Sequence, residues 1–125
     1  MQQDLKQRTK AFALRIIRLY AALPSSSQAA QVIGSHLLES GTSVGALYLV
    51  ASRSRVRSEY IAKLEVAQQA LEETIYWLEL LIEAELMEAA QLRKLIQETT
   101  ELSTLVTTYI QRAKTPPPPK QTISR

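Results

Sequence analysis

Residues 28–52 read Gln-Ala-Ala-Gln-Val-Ile-Gly-Ser-His-Leu-Leu-Glu-Ser-Gly-Thr-Ser-Val-Gly-Ala-Leu-Tyr-Leu-Val-Ala-Ser, and the Ser40-Gly41-Thr42-Ser43 step inside them decides how many helices the chain forms. Taken alone, that step reads as a loop. The apolar positions around it argue for continuity. Ile33 and Leu37 before it, and Val44, Leu47 and Ala51 after it, hold one helical phase through Ser40. A loop would not preserve that phase, so the spacing predicts a single helix over 28–52, with Gly41 as a place where it can kink.

Three other stretches carry the same kind of seam. Leu5, Thr9, Phe12, Ile16, Leu19 and Leu23 form the first. Ile61, Leu64, Gln68, Leu71, Ile75, Leu78 and Ile82 form the third, and Leu92, Leu95, Thr99, Leu102, Val106, Tyr109 and Ala113 the fourth. Alternating steps of three and four put each set on one side of a helix. The predicted helices span about 4–22, 28–52, 57–84 and 89–113. Asp4 and a serine of Ser25-Ser26-Ser27 are the expected caps of the first two. Short turns make successive helices antiparallel, which predicts an all-α, up-down-up-down four-helix bundle over 1–114. Pro116-Pro117-Pro118-Pro119 ends the last helix and opens a basic, extended tail over 115–125.

Composition bounds what such a bundle can be. The 125 residues are 46% hydrophobic and 22% charged, as in one soluble globular domain with a sizeable core. The absence of cysteine removes disulfides, thiolate metal sites and thiol nucleophiles together, and fits a cytoplasmic protein. No secretory signal and no stretch long enough to cross a bilayer is visible.

Two helices are apolar on more than the core stripe. Val66, Ala70, Trp77 and Leu81 on the third, and Leu14 and Ile17 on the first, are read as outward-facing. They predict a homo-oligomer built through these outer faces.

The net charge of +3 hides an uneven distribution. Residues 1–60 hold eight Lys or Arg against three acids, whereas 61–113 hold four against nine. Antiparallel threading gathers Lys6, Arg8, Lys10, Arg53, Arg55, Arg57, Lys63, Arg112 and Lys114 at one pole, opposed by Asp4, Glu59 and Glu65. A pole of this kind suits a polyanion, since arginine can grip phosphate oxygens with two bonds. The competing explanation is that cations at helix C-termini merely complement the dipole. Candidate nucleic-acid contacts are Lys6, Arg8, Lys10, Arg53, Arg55, Arg57 and Lys63, with Arg15 and Arg18 extending the patch along the first helix. A cyclic assembly of parallel protomers would multiply the pole into a basic ring.

Catalytic chemistry is not evident. Glu65, Glu72 and Glu79 recur every seven residues, but a di-iron bundle needs Glu-x-x-His pairs, and His36 is the one histidine, preceded by Gln31 and Val32. The glutamates read as a solvated flank pairing with neighbouring cations, and His36 as a hydrogen-bonded boundary residue. No phosphate-cradling glycine loop or nucleophile elbow occurs. We expect no enzyme activity, metal, cofactor or small-molecule substrate. Gln68, Ser40 and Thr99 inside their seams are candidates for fixing helix register, or are tolerated polar positions at the core edge.

Several segments together carry a family resemblance: Asp4 to Tyr20 followed by Ala22-Leu23-Pro24, Ala30-Gln31-Val32-Ile33-Gly34, Ser40 to Ala46, and Glu73-Thr74-Ile75-Tyr76-Trp77-Leu78-Glu79-Leu80-Leu81. Over about residues 4–113 the chain resembles the four-helix-bundle proteins first noticed as products of intervening sequences in bacterial large-subunit ribosomal RNA genes. That family is similar in fold to the accessory variability determinants of diversity-generating retroelements. The resemblance implies a pentameric ring without enzymatic activity. For the retroelement relatives it also implies a basic surface that binds structured RNA and a partner reverse transcriptase. One segment departs from the pattern: relatives carry a polar run like Asn-Tyr-Arg-Glu-Ala where this chain has Leu47-Tyr48-Leu49-Val50-Ala51. The change gives the second helix an apolar outer patch at Leu49 and Val50, which favours a protein contact. The sequence therefore leaves two functions open: an oligomeric RNA-binding accessory protein, or an oligomeric protein scaffold without a nucleic-acid role.

Overall fold

The computed structural model describes residues 4–115, and the proline run of the expected tail lies outside them. Four helices account for the described chain: α1 (Leu5–Ala22), α2 (Gln28–Ser52), α3 (Arg57–Glu83) and α4 (Ala89–Lys114). Three ends are built by recognisable local chemistry. The Asp4 carboxylate accepts from the Lys6 N–H at 3.1 Å, and the Ser27 hydroxyl from the Ala30 N–H at 3.1 Å. Glu88 and Gln91 form a reciprocal capping box at the start of α4. Among the described residues no side chain caps α3, whose N-cap position is Val56.

α3 ends in a Schellman motif. The Leu86 N–H donates to the Leu81 carbonyl at 2.9 Å and the Glu85 N–H to the Ile82 carbonyl at 2.9 Å. Glu85 takes the left-handed conformation that this motif demands, at φ 60°, where glycine is the usual occupant.

Connections 23–27, 53–56 and 84–88 are too short to do anything but reverse the chain. α2 packs extensively on both α1 and α3, and α3 on α4. α1 and α4 touch only lightly, and the backbones of the diagonal pairs stay apart among the described residues. The bundle is therefore a four-membered square with one slack side.

α2 runs unbroken through Ser40–Ser43, as the phase of its apolar residues predicts. Gly41 is there for close approach. A Cβ at this position would lie 2.7 Å from Ile16 Cγ1 and 3.0 Å from Ile16 Cγ2. Gly34, two turns earlier, meets Leu23 and Tyr20 of the α1 end in the same way. These small positions let the α1 and α2 backbones come together, and the helix-propensity penalty of glycine is outweighed by the packing gained.

Phe12, Ile16, Leu37, Val44, Leu64, Leu71, Leu78, Leu92, Leu102 and Val106 are wholly buried at the centre. On α3 the buried surface is broader than the predicted seam. Ala67, Ala70, Thr74 and Leu81 are buried as well, because this helix has two close neighbours and needs two stripes. Ala70 and Leu81, expected on the outer face, are core residues of the single chain, at 7% and 0% exposure.

The seam's polar residues divide by role. The Thr74 hydroxyl donates to the Ala70 carbonyl at 2.8 Å, which leaves the Ser40 hydroxyl to donate to Thr74 Oγ1 at 2.9 Å, inside the α2–α3 interface. Gln68 donates through Nε2 to Ser103 Oγ at 2.7 Å across α3–α4, with its buried Oε1 unpartnered among the described residues. Thr99 merely donates back to Leu95 of its own helix at 2.7 Å.

Candidate nucleic-acid interface

The threading brings four chain segments to one end of the bundle: the start of α1, the 53–56 connection, the start of α3 and the end of α4. Lys6, Lys10, Arg53, Arg55, Arg57, Lys63, Arg112 and Lys114 stand there, all exposed. Lys114 is paired, donating to Glu65 at 2.9 Å across α3–α4. Lys6, Lys10, Arg53, Arg55, Arg57, Lys63 and Arg112 have no carboxylate within salt-bridge distance among the described residues.

Dipole complementation accounts for part of this set. Arg112 and Lys114 lie in the last turn of α4, and Arg53 is the C-cap of α2. It does not account for Arg57, the first residue of α3, or for Lys6 in the first turn of α1. Both sit at the positive end of a helix, where a cation is disfavoured. Arg55 belongs to the turn itself. Arg53, Arg55 and Arg57 thus surround a helix start that no side chain caps.

Arg8 does not join this free surface. Its Nε and Nη2 form a fork on Glu98, each bond 2.8 Å, and Nη2 also donates to Glu101 at 2.6 Å. The hydrogen bond to Glu98 raises its pKa above the ordinary arginine range, against burial, with Glu101 adding to the rise. Glu98 and Glu101 of α4 thereby join the pole. With them, nine cations face five carboxylates, where the sequence set three acids against the nine. Arg15 and Arg18 are also apart from the cluster. They lie ten and thirteen residues beyond Leu5, about 15 and 20 Å along α1 at 1.5 Å per residue.

Sequence reasoning missed an aromatic group at the same end. Tyr60 and Tyr109 line a recess of about 350 Å³ between α3 and α4, together with Arg112 and Ala113. Tyr48 of α2 lies close by. Burial pushes the Tyr48 phenol up, and the proximity of Tyr109, Tyr60 and Asp4 adds to that; Tyr60 is raised by burial and by Tyr109. The signal was in the sequence as two matched spacings, Arg57-x-x-Tyr60 and Tyr109-x-x-Arg112, but only the fold pairs them.

The second surface feature is an apolar cleft of about 540 Å³ along α2–α3, whose wall includes Leu47, Val50, Val66 and Ala70. Val50 and Val66 are about half exposed, as are Leu14 and Ile17 on α1. Trp77, expected outward, is only partly exposed. It stacks on His36 with ring centroids 4.5 Å apart, and Tyr76 meets its edge at 5.0 Å. His36 is thus an exposed stacking residue of α2, with no hydrogen bond to a described residue. Among the described residues no group of three or more His, Asp or Glu side chains is arranged to hold a metal ion, and no helix is long and apolar enough to cross a membrane.

No curated protein matches the chain. A crystal structure of a protein of unknown function from the S23 ribosomal protein family of Bacteroides thetaiotaomicron VPI-5482 shares 36% identity with a TM-score of 0.80, covering 86% of this chain and 98% of that one. The sequence profile of the 23S rRNA-intervening sequence proteins matches residues 1–108, all four helices included apart from the end of α4. A shared bundle, a match over most of the sequence and the segments that carry the resemblance agree, and the chain belongs to the 23S rRNA-intervening sequence protein family.

Proposed function

We propose that this protein is a non-catalytic, oligomeric RNA-binding protein that grips phosphates with the basic end of its bundle. The observation that carries the reading is the convergence of seven unpaired cations from three helices and one turn on a single end, three of them at helix positions or in a turn where the dipole gives no reason for them. Lys6, Lys10, Arg53, Arg55, Arg57, Lys63 and Arg112 are the phosphate contacts. The arginines of the 53–57 segment are its centre, because they flank the uncapped start of α3. The family is described by the intervening sequence of 23S rRNA, and on that description we take a ribonucleic partner over an acidic protein. Self-association uses the α2–α3 cleft around Val50 and Val66, with Leu14 and Ile17 of α1 as a further exposed stripe.

Gel-shift titration with a structured RNA at two salt concentrations tests the reading. Phosphate-driven affinity falls steeply with salt, and replacing Arg53, Arg55 and Arg57 together by Ala lowers both affinity and salt slope. All three side chains are exposed, so the triple variant keeps its helical content. Undetectable binding at low salt, or unchanged affinity in the variant, overturns the proposal. The scaffold alternative, favoured by the apolar cleft, then stands alone.

A further inference from the structure

The matched Arg-Tyr pairs at the basic end lead beyond phosphate gripping. Arg57 and Tyr60 are one turn apart on α3, and Tyr109 and Arg112 one turn apart on α4. The two helices run in opposite directions. In both, therefore, the arginine lies on the pole side of its tyrosine and the tyrosine lies one turn deeper in the bundle. Tyr60, Tyr109 and Arg112 line one open recess of about 350 Å³, a volume at the lower end of small-ligand sites. Neither tyrosine hydroxyl donates to a described residue, and both rings pack against the core with one side left over. Two ring surfaces backed by a rigid core, with a free guanidinium at the rim, are the components of a stacking platform for a base.

We propose that this recess takes one unpaired nucleotide of an RNA strand, its base stacked on Tyr60 and Tyr109 and its phosphate held by Arg112 and Arg57. The inference rests on the basic end being a nucleic-acid surface, and it adds a preference: unpaired RNA over perfect duplex. A paired base cannot enter the recess, whereas cations alone would treat both forms alike or favour the duplex for its denser charge.

Fluorescence anisotropy with a single-stranded RNA and a perfect duplex of equal phosphate number, at one fixed salt concentration, reads the preference directly. The wild type binds the strand more tightly. Tyr60→Leu and Tyr109→Leu each lower strand affinity about ten-fold, the loss of one base–aromatic stack, and leave duplex affinity unchanged. Tyr60→Phe and Tyr109→Phe, which keep the ring, bind as the wild type does. Photo-crosslinking from an iodouridine in the strand attaches at Tyr60 or Tyr109, a measurement on the native chain that does not depend on the leucine variants folding. Equal wild-type binding of strand and duplex, undiminished strand binding in folded leucine variants, or crosslinks confined to other segments overturns the recess and leaves the basic end intact. Absence of binding to either RNA at low salt overturns the basic end and the recess with it.

Discussion

Replacing Gly41 by Ala should destabilise the protein, although alanine is the better helix former. In an exposed helix interior the change is worth about 1 kcal/mol in favour of alanine. Here the new methyl would sit 2.7 Å from Ile16 Cγ1 and 3.0 Å from Cγ2, well inside ordinary contact distance. Both atoms are fixed by χ1, and a β-branched residue in a helix has essentially one χ1 to use. Ile16 cannot swing aside, so α1 and α2 must separate or the side chain must strain. Overpacking of this kind costs about 1–3 kcal/mol, which leaves a net loss of about 1 kcal/mol after the propensity gain.

The cycle is completed with Ile16→Ala, which costs about 2–5 kcal/mol alone but removes Cγ1, Cγ2 and the Cδ1 that would lie at 3.1 Å. In that background Gly41→Ala should stabilise by about 1 kcal/mol, giving a change of sign between the two backgrounds. Urea unfolding followed by circular dichroism, at one protein concentration, reads all four corners. If Gly41→Ala stabilises the wild-type background as much as the Ile16→Ala one, α1 and α2 do not approach as described and Gly41 has no packing role.

Four further outcomes follow from particular contacts. Arg8→Leu should lower stability by about 1 kcal/mol, and by less at high salt, because it strips Glu98 and Glu101 of their shared cation; an unchanged urea midpoint at low salt would contradict the bridge. Glu85→Gly should raise stability by about 1 kcal/mol in the same assay, since glycine takes the φ of 60° without the steric strain a side chain brings there. Burial favours the neutral phenols of Tyr48 and Tyr60 and so raises their folded pKa values. Their contribution is complete below the ordinary tyrosine value of about 10 and is lost as pH rises through the folded values, so stability should fall in the alkaline range and fall less in a Tyr48→Phe, Tyr60→Phe double variant. Val50→Glu and Val66→Glu should lower the molar mass read by light scattering while leaving helical content unchanged; a monomeric wild type at micromolar concentration would remove the proposed self-association.

Much of this architecture is legible in the phase of the apolar residues. Ile33, Leu37, Val44 and Ala51 carry α2 across a glycine and two serines because a helix registers period, not local composition. The same logic misassigns Ala70 and Leu81. A single seam describes a helix with one dominant neighbour, whereas α3 has two, and small residues such as Ala67 and Ala70 mark the closer one. At the candidate interface the sequence identifies the pole, since antiparallel threading alone collects its cations. It does not identify which of them are free. Whether Arg8 reaches Glu98 depends on how α1 and α4 are offset, a relation between helices that no one-helix period contains. The pairing of Tyr60 with Tyr109 is hidden for the same reason.

The slack side of the square has a dynamic consequence. α1 is bound tightly to α2 by the glycine approaches and only lightly to α4, where Arg8 spans the gap. Opening should therefore begin as a hinge-like parting along that seam, with the α1–α2 pair moving as a unit, and amides facing the gap should exchange with solvent well before those of the α2–α3 centre. Arg8, held by Glu98 and Glu101, is the clasp on this cover, and its loss should make that parting easier.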